Sequence, residues 1–140
     1  MAAPPGPPLG TPQHVDAGGA RLTVTIVKLI DSLRGSGAAL MAGTRAAGVL
    51  VEIANAGPAI YDSSATGDFS LVVSAGVVTP VFAQQGVCRT SLRDFDNYIT
   101  AGEDRSGCVA FAVAIGARIL AVRFAPHAAP AGRLTWRVPR

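Results

Sequence analysis

The chain has 140 residues, 49% of them hydrophobic and 15% charged, and it includes 16 glycines and 10 prolines. These proportions exclude an intrinsically disordered protein and a charged coiled coil, and the length suits a single domain with its own hydrophobic core. Arginine supplies every basic residue except Lys28, but the formal net charge of +3 is too small to argue for a nucleic-acid partner.

The first 18 residues are rich in proline and glycine and contain little that could pack in a core. Because such segments favour an extended polyproline conformation, residues 1–18 are predicted to form a flexible tether ahead of one folded domain at 19–140. Met1 is followed by neither the basic start nor the apolar stretch of a signal peptide. Export would therefore require a leader or a lipid-anchor cysteine upstream of Met1.

Alternating apolar and polar residues, the pattern of a half-buried strand, begin at residue 20 and recur along the chain. The clearest segments predict strands at 20–30, 46–54, 69–73 and 77–82. The second strand ends in Asn55-Ala56-Gly57-Pro58, where Asn tolerates and Gly permits a positive φ and Pro cannot continue a ladder. A turn at Ser74-Ala75-Gly76 is predicted to join the last two strands as a hairpin.

The stretch from Ile99 to Phe124 is rich in Val, Ile and Phe. It is predicted to contain a strand at 105–115, a turn at Gly116 and a second strand at 118–124 packed beside the first. The most apolar window, Val109 to Ala125, is interrupted by Arg118 and Arg123 and is shorter than the ~20 residues that a membrane helix needs. One face of the first strand carries Val109, Phe111, Val113 and Ile115, and the other carries Cys108 and alanines that a neighbouring element must cover.

Two more strands are predicted on either side of this region. Residues 92–100 alternate with a mostly polar face, as an edge strand does, and residues 133–138 alternate around Trp136. Strand signals thus recur with short turns, and no long segment has the 3.6-residue period of a helix. The pattern predicts an all-β fold, an antiparallel sandwich of two sheets, with Phe69, Phe111, Phe124 and Trp136 in its core.

The two cysteines, Cys88 and Cys108, form neither a C-x-x-C pair nor a zinc site with a nearby histidine. We interpret them as a disulfide, which would close a loop of about 20 residues and stabilise the fold by roughly 3 kcal/mol. A disulfide indicates an oxidising compartment and hence export. The alternative is two reduced, buried thiols in a cytosolic protein.

Five motifs follow one another along residues 20–125. They are LTVTIVKLID, VLVEIAN with its turn at Asn55 and Gly57, FSLVV, Gly102-Glu103 leading into Gly107 and Phe111, and ILAVRFAP. In this order they resemble a family of exported, mostly actinobacterial, immunoglobulin-like domains of unassigned function, which includes a small secreted mycobacterial antigen. The resemblance implies an immunoglobulin-like sandwich outside the cytoplasm or in the cell envelope, with no catalytic residues or cofactor. Trp136 follows both cysteines, unlike the order in antibody domains, so the bridge need not cross the core.

Residues that could bind a metal are few. His14 and His127 lie in the tether and in a proline-flanked loop, and both are predicted to be exposed. Asp94, Asp96 and Asn97 resemble the start of a calcium loop, but the positions that need a third ligand, a glycine and a closing glutamate hold Tyr98, Ile99 and Arg105. A solvated strand face explains these residues more simply, and no metal or cofactor is predicted.

Five arginines lie toward the C-terminus: Arg118, Arg123, Arg133, Arg137 and Arg140. If the last two strands lie side by side, these residues form a basic stripe that could bind acidic envelope polymer, anionic lipid or nucleic acid. The favoured interpretation is solubilising charge, which natural sheets place on edge strands to prevent edge pairing. The aromatic content of 6% argues against a platform for stacking single-stranded nucleic acid.

Three functions are compatible with this fold. The favoured one is a non-enzymatic module, exported or associated with the envelope, that presents a loop or an edge to a protein or envelope partner. The second is a carrier that holds a small apolar ligand between its sheets, which a core filled by aromatic side chains would oppose. The third is a hydrolase that uses the acidic segment 94–104, where Glu103 and Asp104 adjoin the polar strand face.

Overall fold

The structure is a computed structural model, which describes residues 6–31, 43–62, 68–79, 98–126 and 132–139. Nearly all of the regular structure in these ranges is β-strand. The strands are β1 (Gln13–Ala17), β2 (Ala20–Ile30), β3 (Thr44–Asn55), β4 (Tyr61–Asp62), β5 (Phe69–Val73), β6 (Gly76–Val78), β7 (Tyr98–Ile99), β8 (Asp104–Ala114), β9 (Ile119–Phe124) and β10 (Leu134–Arg137).

The strands form two four-stranded sheets and one short two-stranded sheet. The first sheet has the order β1-β2-β3-β8, the second sheet has the order β10-β9-β5-β6, and β4 pairs with β7. Every pairing between these strands is antiparallel. The predicted all-β antiparallel sandwich of two sheets is therefore confirmed. No helix in the described ranges has the length and apolar character needed to cross a membrane.

Period-two patterning located most of the strands. The predicted segments at 20–30 and 69–73 coincide with β2 and β5, and β3 extends the predicted 46–54 by a few residues. β5 and β6 form the predicted hairpin. Of the predicted edge strand at 92–100, only the part in β7 is seen to be a strand, since residues 92–97 lie outside the described ranges.

The core lies between the two large sheets and is made of their inward-facing apolar side chains. Leu22, Val24 and Ile26 alternate into it from β2, because side chains two residues apart share a face of a strand. The four aromatic residues predicted for the core are all buried there: Phe69, Phe111, Phe124 and Trp136. The rings of Phe69 and Phe124, on neighbouring strands, have centroids 4.8 Å apart.

The prediction that the two strands after Ile99 pack beside each other is wrong. β8 pairs with β3 in the first sheet, whereas β9 pairs with β5 and β10 in the second. The residues between them carry the chain from one sheet to the other, with a turn closed by Ala117 N–H donating to the Ala114 carbonyl at 2.9 Å. Ile115, predicted to face inward, lies beyond the end of β8 and is 66% exposed.

The predicted flexible tether at 1–18 is also wrong for its described part. Residues 13–17 form β1, which pairs along its length with β2. Ahead of β1, Pro8 makes a parallel bridge with Arg137 at the outer edge of the second sheet, where Arg137 N–H donates to the Pro7 carbonyl at 2.8 Å. Prolines are tolerated here because an edge strand need not donate every N–H.

Two consecutive glycines supply the turn that brings β1 against β2. Gly18 and Gly19 have φ angles of 62° and 91°, and they connect the paired residues Ala17 and Ala20. A two-residue hairpin with positive φ at both positions is a type I′ turn, which favours glycine. This Gly-Gly pair is the sequence signal for β1. The proline-rich residues before it led to the prediction of a flexible tether instead of a strand.

Candidate functional site

The predicted basic stripe depends on the neighbouring strands β9 and β10. They pair antiparallel with Arg123 opposite Thr135 and Arg137 opposite Ala121. Phe124 and Trp136, the next residues along each strand, are buried in the core, so Arg123 and Arg137 lie on the outer face of the second sheet. The last two strands therefore lie side by side, as the stripe requires.

Three of the arginines come together on this outer face. Arg133 directly precedes β10 and is exposed, as is Arg137, while Arg123 is half-buried. Arg133 and Arg137 are four residues apart, or roughly 13 Å along an extended strand. Arg123 lies opposite the midpoint between them, on the adjacent strand. We call Arg123, Arg133 and Arg137, with the flanking Ser70 and Thr135, the arginine face.

The other two arginines are separate from this group. Arg118 precedes β9, and roughly 17 Å of extended chain separate it from Arg123. It is exposed and lines a depression of about 240 Å³ that also contains Asp31 and Arg45. Arg118 thus shares a depression with the carboxylate of Asp31, whereas the strands of the second sheet carry no acidic residue. Arg140 lies outside the described residues.

Among the described residues, no ion pair neutralises the arginines of the arginine face. Strands β5, β6, β9 and β10 contain no acidic residue. The ion pairs seen among the described residues join Arg45 to Asp31 and Arg105 to Glu103, both away from this face. The Nε of Arg123 is buried and has no hydrogen-bond partner, which is uncommon for an arginine.

The outer face of the first sheet has the opposite character. It carries three exposed carboxylates and two exposed bases: Asp16, Glu52 and Asp104 with Arg21 and Lys28. Threonine and serine fill much of the surface between them, for example Thr25 beside Glu52. On the strands of the two large sheets, acidic residues therefore occur only in the first sheet, while the arginine face belongs to the second.

The turn residues singled out by the family resemblance meet at one end of the first sheet. Asn55, the last residue of β3, is only 1% exposed. Its Nδ2 donates to the carbonyls of Ala59 and Ile99, both at 2.9 Å, and its Oδ1 accepts from Gly57 N–H at 3.0 Å. One amide side chain thereby holds the turn after β3 and the strand β7 together.

Gly102 and Glu103 complete the same cluster. Gly102 N–H donates to the Asn55 carbonyl at 2.7 Å, and Asn55 N–H donates to the Glu103 carbonyl at 2.9 Å. Gly102 has a φ of 82° in the turn that Glu103 N–H closes on the Thr100 carbonyl. The Glu103 carboxylate accepts from Thr100 N–H at 3.1 Å and pairs with Arg105 at 3.3 Å. Glu103 therefore stabilises the turn.

Gly57 has a different reason to be glycine from the one predicted. Its φ is not positive. A Cβ at this position would instead lie 2.4 Å from Arg21 N and 2.5 Å from the Gly19 carbonyl oxygen. The backbone of the β1–β2 hairpin passes too close for any side chain.

The remaining motif residues belong to β8. Gly107 is buried, opposite Val51, and Phe111 is fully buried opposite Ala47. Gly107 and Phe111 are thus part of the core, whereas the cluster around Asn55 connects turns at one end of the first sheet.

Cys108 lies on the face of β8 that points away from the core. It is nevertheless only 2% exposed, and Ala110 on the same face is fully buried, as expected if a neighbouring element covers this side. Ala114, farther along, is exposed. The described part of the chain contains no free thiol. Cys88 lies outside it, so the Cys88–Cys108 disulfide stays a prediction.

Three polar residues with structural importance, Arg45, Tyr61 and Asp68, were not recognised in the sequence. Arg45, on β3, donates from Nη1 to the Ala114 and Ile115 carbonyls at 2.6 and 3.0 Å, and from Nη2 to the Ala117 carbonyl at 2.8 Å. It thus fixes the corner where the chain changes sheets. Buried Tyr61 donates to the carboxylate of buried Asp68. Neither the Arg45 hydrogen bonds nor the Tyr61–Asp68 hydrogen bond has a local sequence pattern that would reveal it.

The residues considered for catalysis and metal binding do not assemble in the described structure. His14 is exposed on β1 and lies 3.0 Å from the Thr23 hydroxyl, while His127 lies outside the described ranges. Asp94, Asp96 and Asn97 also lie outside them. Within these ranges no three acidic, histidine or cysteine side chains are grouped as a metal site requires.

Comparison with solved structures finds the same fold in several bacterial proteins. The secreted protein MPT63 of Mycobacterium tuberculosis is 15% identical with a TM-score of 0.69, over 98% of this chain and 99% of that one. The YjhA protein of Bacillus subtilis is 14% identical with a TM-score of 0.59, over 95% and 99%. YcdA, a candidate lipoprotein of Bacillus subtilis, is 15% identical with a TM-score of 0.68, over 91% of this chain but only 38% of its own length.

No family model and no curated protein matches the sequence. At such low identities the structural likeness shows the fold alone. It confirms the resemblance that the order of sequence motifs had indicated, because the secreted mycobacterial protein matches over nearly the full length of both chains. The chain has the immunoglobulin-like β-sandwich fold of these bacterial proteins.

Proposed function

We propose that this protein is a non-enzymatic interaction module that works outside the cytoplasm, either secreted or associated with the cell envelope. The fold is shared with a secreted protein and with a candidate lipoprotein, which supports this location. The aromatic core supports a role for the surface rather than for the interior, because Phe69, Phe111, Phe124 and Trp136 occupy the space between the sheets.

The arginine face is the observation that supports this function best. Exposed guanidinium groups without acidic partners favour an anionic ligand, since Arg presents several donors that match carboxylate and phosphate oxygens. Solubilising charge alone does not require the segregation seen here, in which every carboxylate on the strands of the two large sheets belongs to the first sheet. The proposed activity is salt-dependent binding of an anionic partner through the second sheet.

Retention on immobilised heparin tests this function. The wild-type protein is expected to bind at low salt and to elute as salt is raised, because exposed charge pairs are screened. An R133Q/R137Q variant, with a net charge of +3 − 2 = +1, should elute much earlier. An R21Q/K28Q variant has the same net charge but keeps the arginine face, and it should elute close to the wild type.

Absence of retention at low salt would refute the proposed function, as would equal losses in the two variants. Far-UV circular dichroism and Trp136 emission establish that each variant is folded. The compartment has its own test in thiol titration of the native protein. No reactive thiol should be found before reduction, and two free thiols would remove the support that the predicted disulfide gives to export.

A further inference from the structure

We propose that the arginine face binds an anionic polysaccharide of the cell envelope, which lies across β9 and β10 with its acidic groups at Arg123, Arg133 and Arg137. This inference rests on the proposed function and names its partner. The three arginines form a triangle on two adjacent strands, with Arg123 opposite Thr135 and between the other two. They extend over roughly 13 Å, more than one small anion can contact, so a chain of repeated anionic groups suits them better.

Two hydroxyl side chains give the arginine face its preference for sugars. Ser70 and Thr135 are the cross-strand neighbours of Arg123 on its two sides, each roughly 4.8 Å away across the sheet. Hydroxyl groups both donate and accept hydrogen bonds, as sugar hydroxyls do. A polysaccharide would thus find a guanidinium group for each carboxylate and hydroxyl partners for the uncharged parts of each sugar.

The surrounding surface argues against a lipid bilayer. Membrane-binding surfaces combine basic residues with exposed apolar side chains that enter the interface. Of the large hydrophobic side chains exposed in the described residues, Val77 belongs to the second sheet, and the others lie elsewhere: Val27, Ile60, Tyr98 and Ile115. A single valine gives little apolar area for insertion.

Nucleic acid is disfavoured for a related reason. Sheets that bind single strands stack the bases on exposed aromatic rings. The aromatic residues on the strands of the second sheet are Phe69, Phe124 and Trp136, and all three are buried on its inner face. The described strands of the second sheet thus present charge and hydroxyl groups on their outer face, without an exposed aromatic ring.

The test measures the affinity of the full chain for polygalacturonate, a linear polyuronate, with neutral dextran as the uncharged control. Polygalacturonate should bind in a salt-dependent way and dextran should not. The R133Q/R137Q variant should lose at least about tenfold in affinity, whereas R21Q/K28Q should change it less than about twofold. R123K keeps the charge but loses the planar fork, so it should also weaken binding, while folding is followed by circular dichroism.

Two competing ligands are measured in parallel, namely vesicles of phosphatidylglycerol with phosphatidylcholine and a single-stranded oligonucleotide. Tighter binding of either one than of polygalacturonate would overturn the inference, as would equal weakening by the two double variants. Heparin is itself a sulfated polysaccharide. Heparin retention through the arginine face, without binding of polygalacturonate, would therefore leave the proposed function in place and refute a carboxylate-bearing polysaccharide as the partner. Loss of both would refute both proposals.

Discussion

At the scale of single residues, Asn55 stabilises more backbone than any other side chain at its end of the sandwich. Its amide donates twice and accepts once, and all three partners are main-chain groups of other segments. Two of these hydrogen bonds are buried and the one to Ala59 is part-buried, so the partner groups have little access to water if the amide is removed. The side chain thus replaces the ladder hydrogen bonds that end where β3 ends.

We therefore expect N55A to lower the free energy of unfolding by about 2–4 kcal/mol, because two buried main-chain groups and one part-buried group lose their partner. Urea denaturation followed by circular dichroism measures the change. Q13A provides the comparison, since Gln13 makes one hydrogen bond, from Nε2 to the Thr135 carbonyl at 2.8 Å. Its cost should be about 1 kcal/mol, and equal costs for the two variants would contradict the role given to Asn55.

Gly57 is required by close approach of the backbone. A Cβ would lie 2.4 Å from a main-chain nitrogen, and backbone cannot move aside as a flexible side chain can. G57A should therefore destabilise the protein by more than about 2 kcal/mol in thermal or urea denaturation. G116A is the matched control, because no atom lies within 4 Å of its Cβ and its φ is not positive. If G57A left the free energy of unfolding unchanged, the β1–β2 hairpin backbone would not lie against Gly57.

At the scale of elements, the N-terminal segment 6–17 joins the two sheets. Gly10 N–H donates to the Ile26 carbonyl in the first sheet at 2.7 Å, while Trp136 Nε1 donates to the Thr11 carbonyl from the second at 2.7 Å. Leu9 packs against the core. The segment covers the edge of β10 and then becomes the edge strand of the opposite sheet.

Deletion of residues 1–11 should cost about 3–5 kcal/mol, because it removes several hydrogen bonds and the apolar contact of Leu9. The emission of Trp136, the only tryptophan, should shift to longer wavelength as its indole becomes hydrated. Deletion of residues 1–5 removes none of these bonds and is the control. If the longer deletion left stability and emission unchanged, the segment would be the flexible tether that its composition had predicted.

Sequence patterning predicted the elements better than their connections. Alternation located β2, β3, β5 and the core aromatic residues because burial of one face of a strand requires an apolar residue at every second position. The corner where the chain crosses from β8 to β9 is hydrogen-bonded to Arg45, which is about 70 residues away in sequence. Local periodicity contains no information on such a contact.

The candidate site was predicted in part for the same reason. The arginines on β9 and β10 were recognised because those strands are close in sequence and pair as expected. The sequence could not predict that these arginines lack acidic neighbours on their own sheet. That property depends on the packed structure, in which Glu52 and Asp104 face outward on the other sheet. The charge balance of a face is a property of the packed sheets, and this changed the favoured interpretation from solubilising charge to a binding surface.

At the scale of the whole molecule, three features link the sheets into one unit. The shared core fills the space between them, the segment 6–17 is hydrogen-bonded to both, and Arg45 ties β3 to the corner between β8 and β9. Each feature loses its contacts if either sheet separates. Independent opening of one sheet would therefore expose the apolar face of the other to water.

Unfolding should consequently be a single cooperative transition. Trp136 emission reports on the second sheet, and far-UV circular dichroism reports on all strands, so their urea midpoints and slopes should coincide. The deletion of residues 1–11 is the informative variant, because it removes one of the three links and should lower both midpoints together while the core and the Arg45 corner remain. An earlier midpoint for Trp136 emission in the wild-type chain would show that the second sheet opens on its own, and the link made by segment 6–17 would then be too weak to couple the sheets.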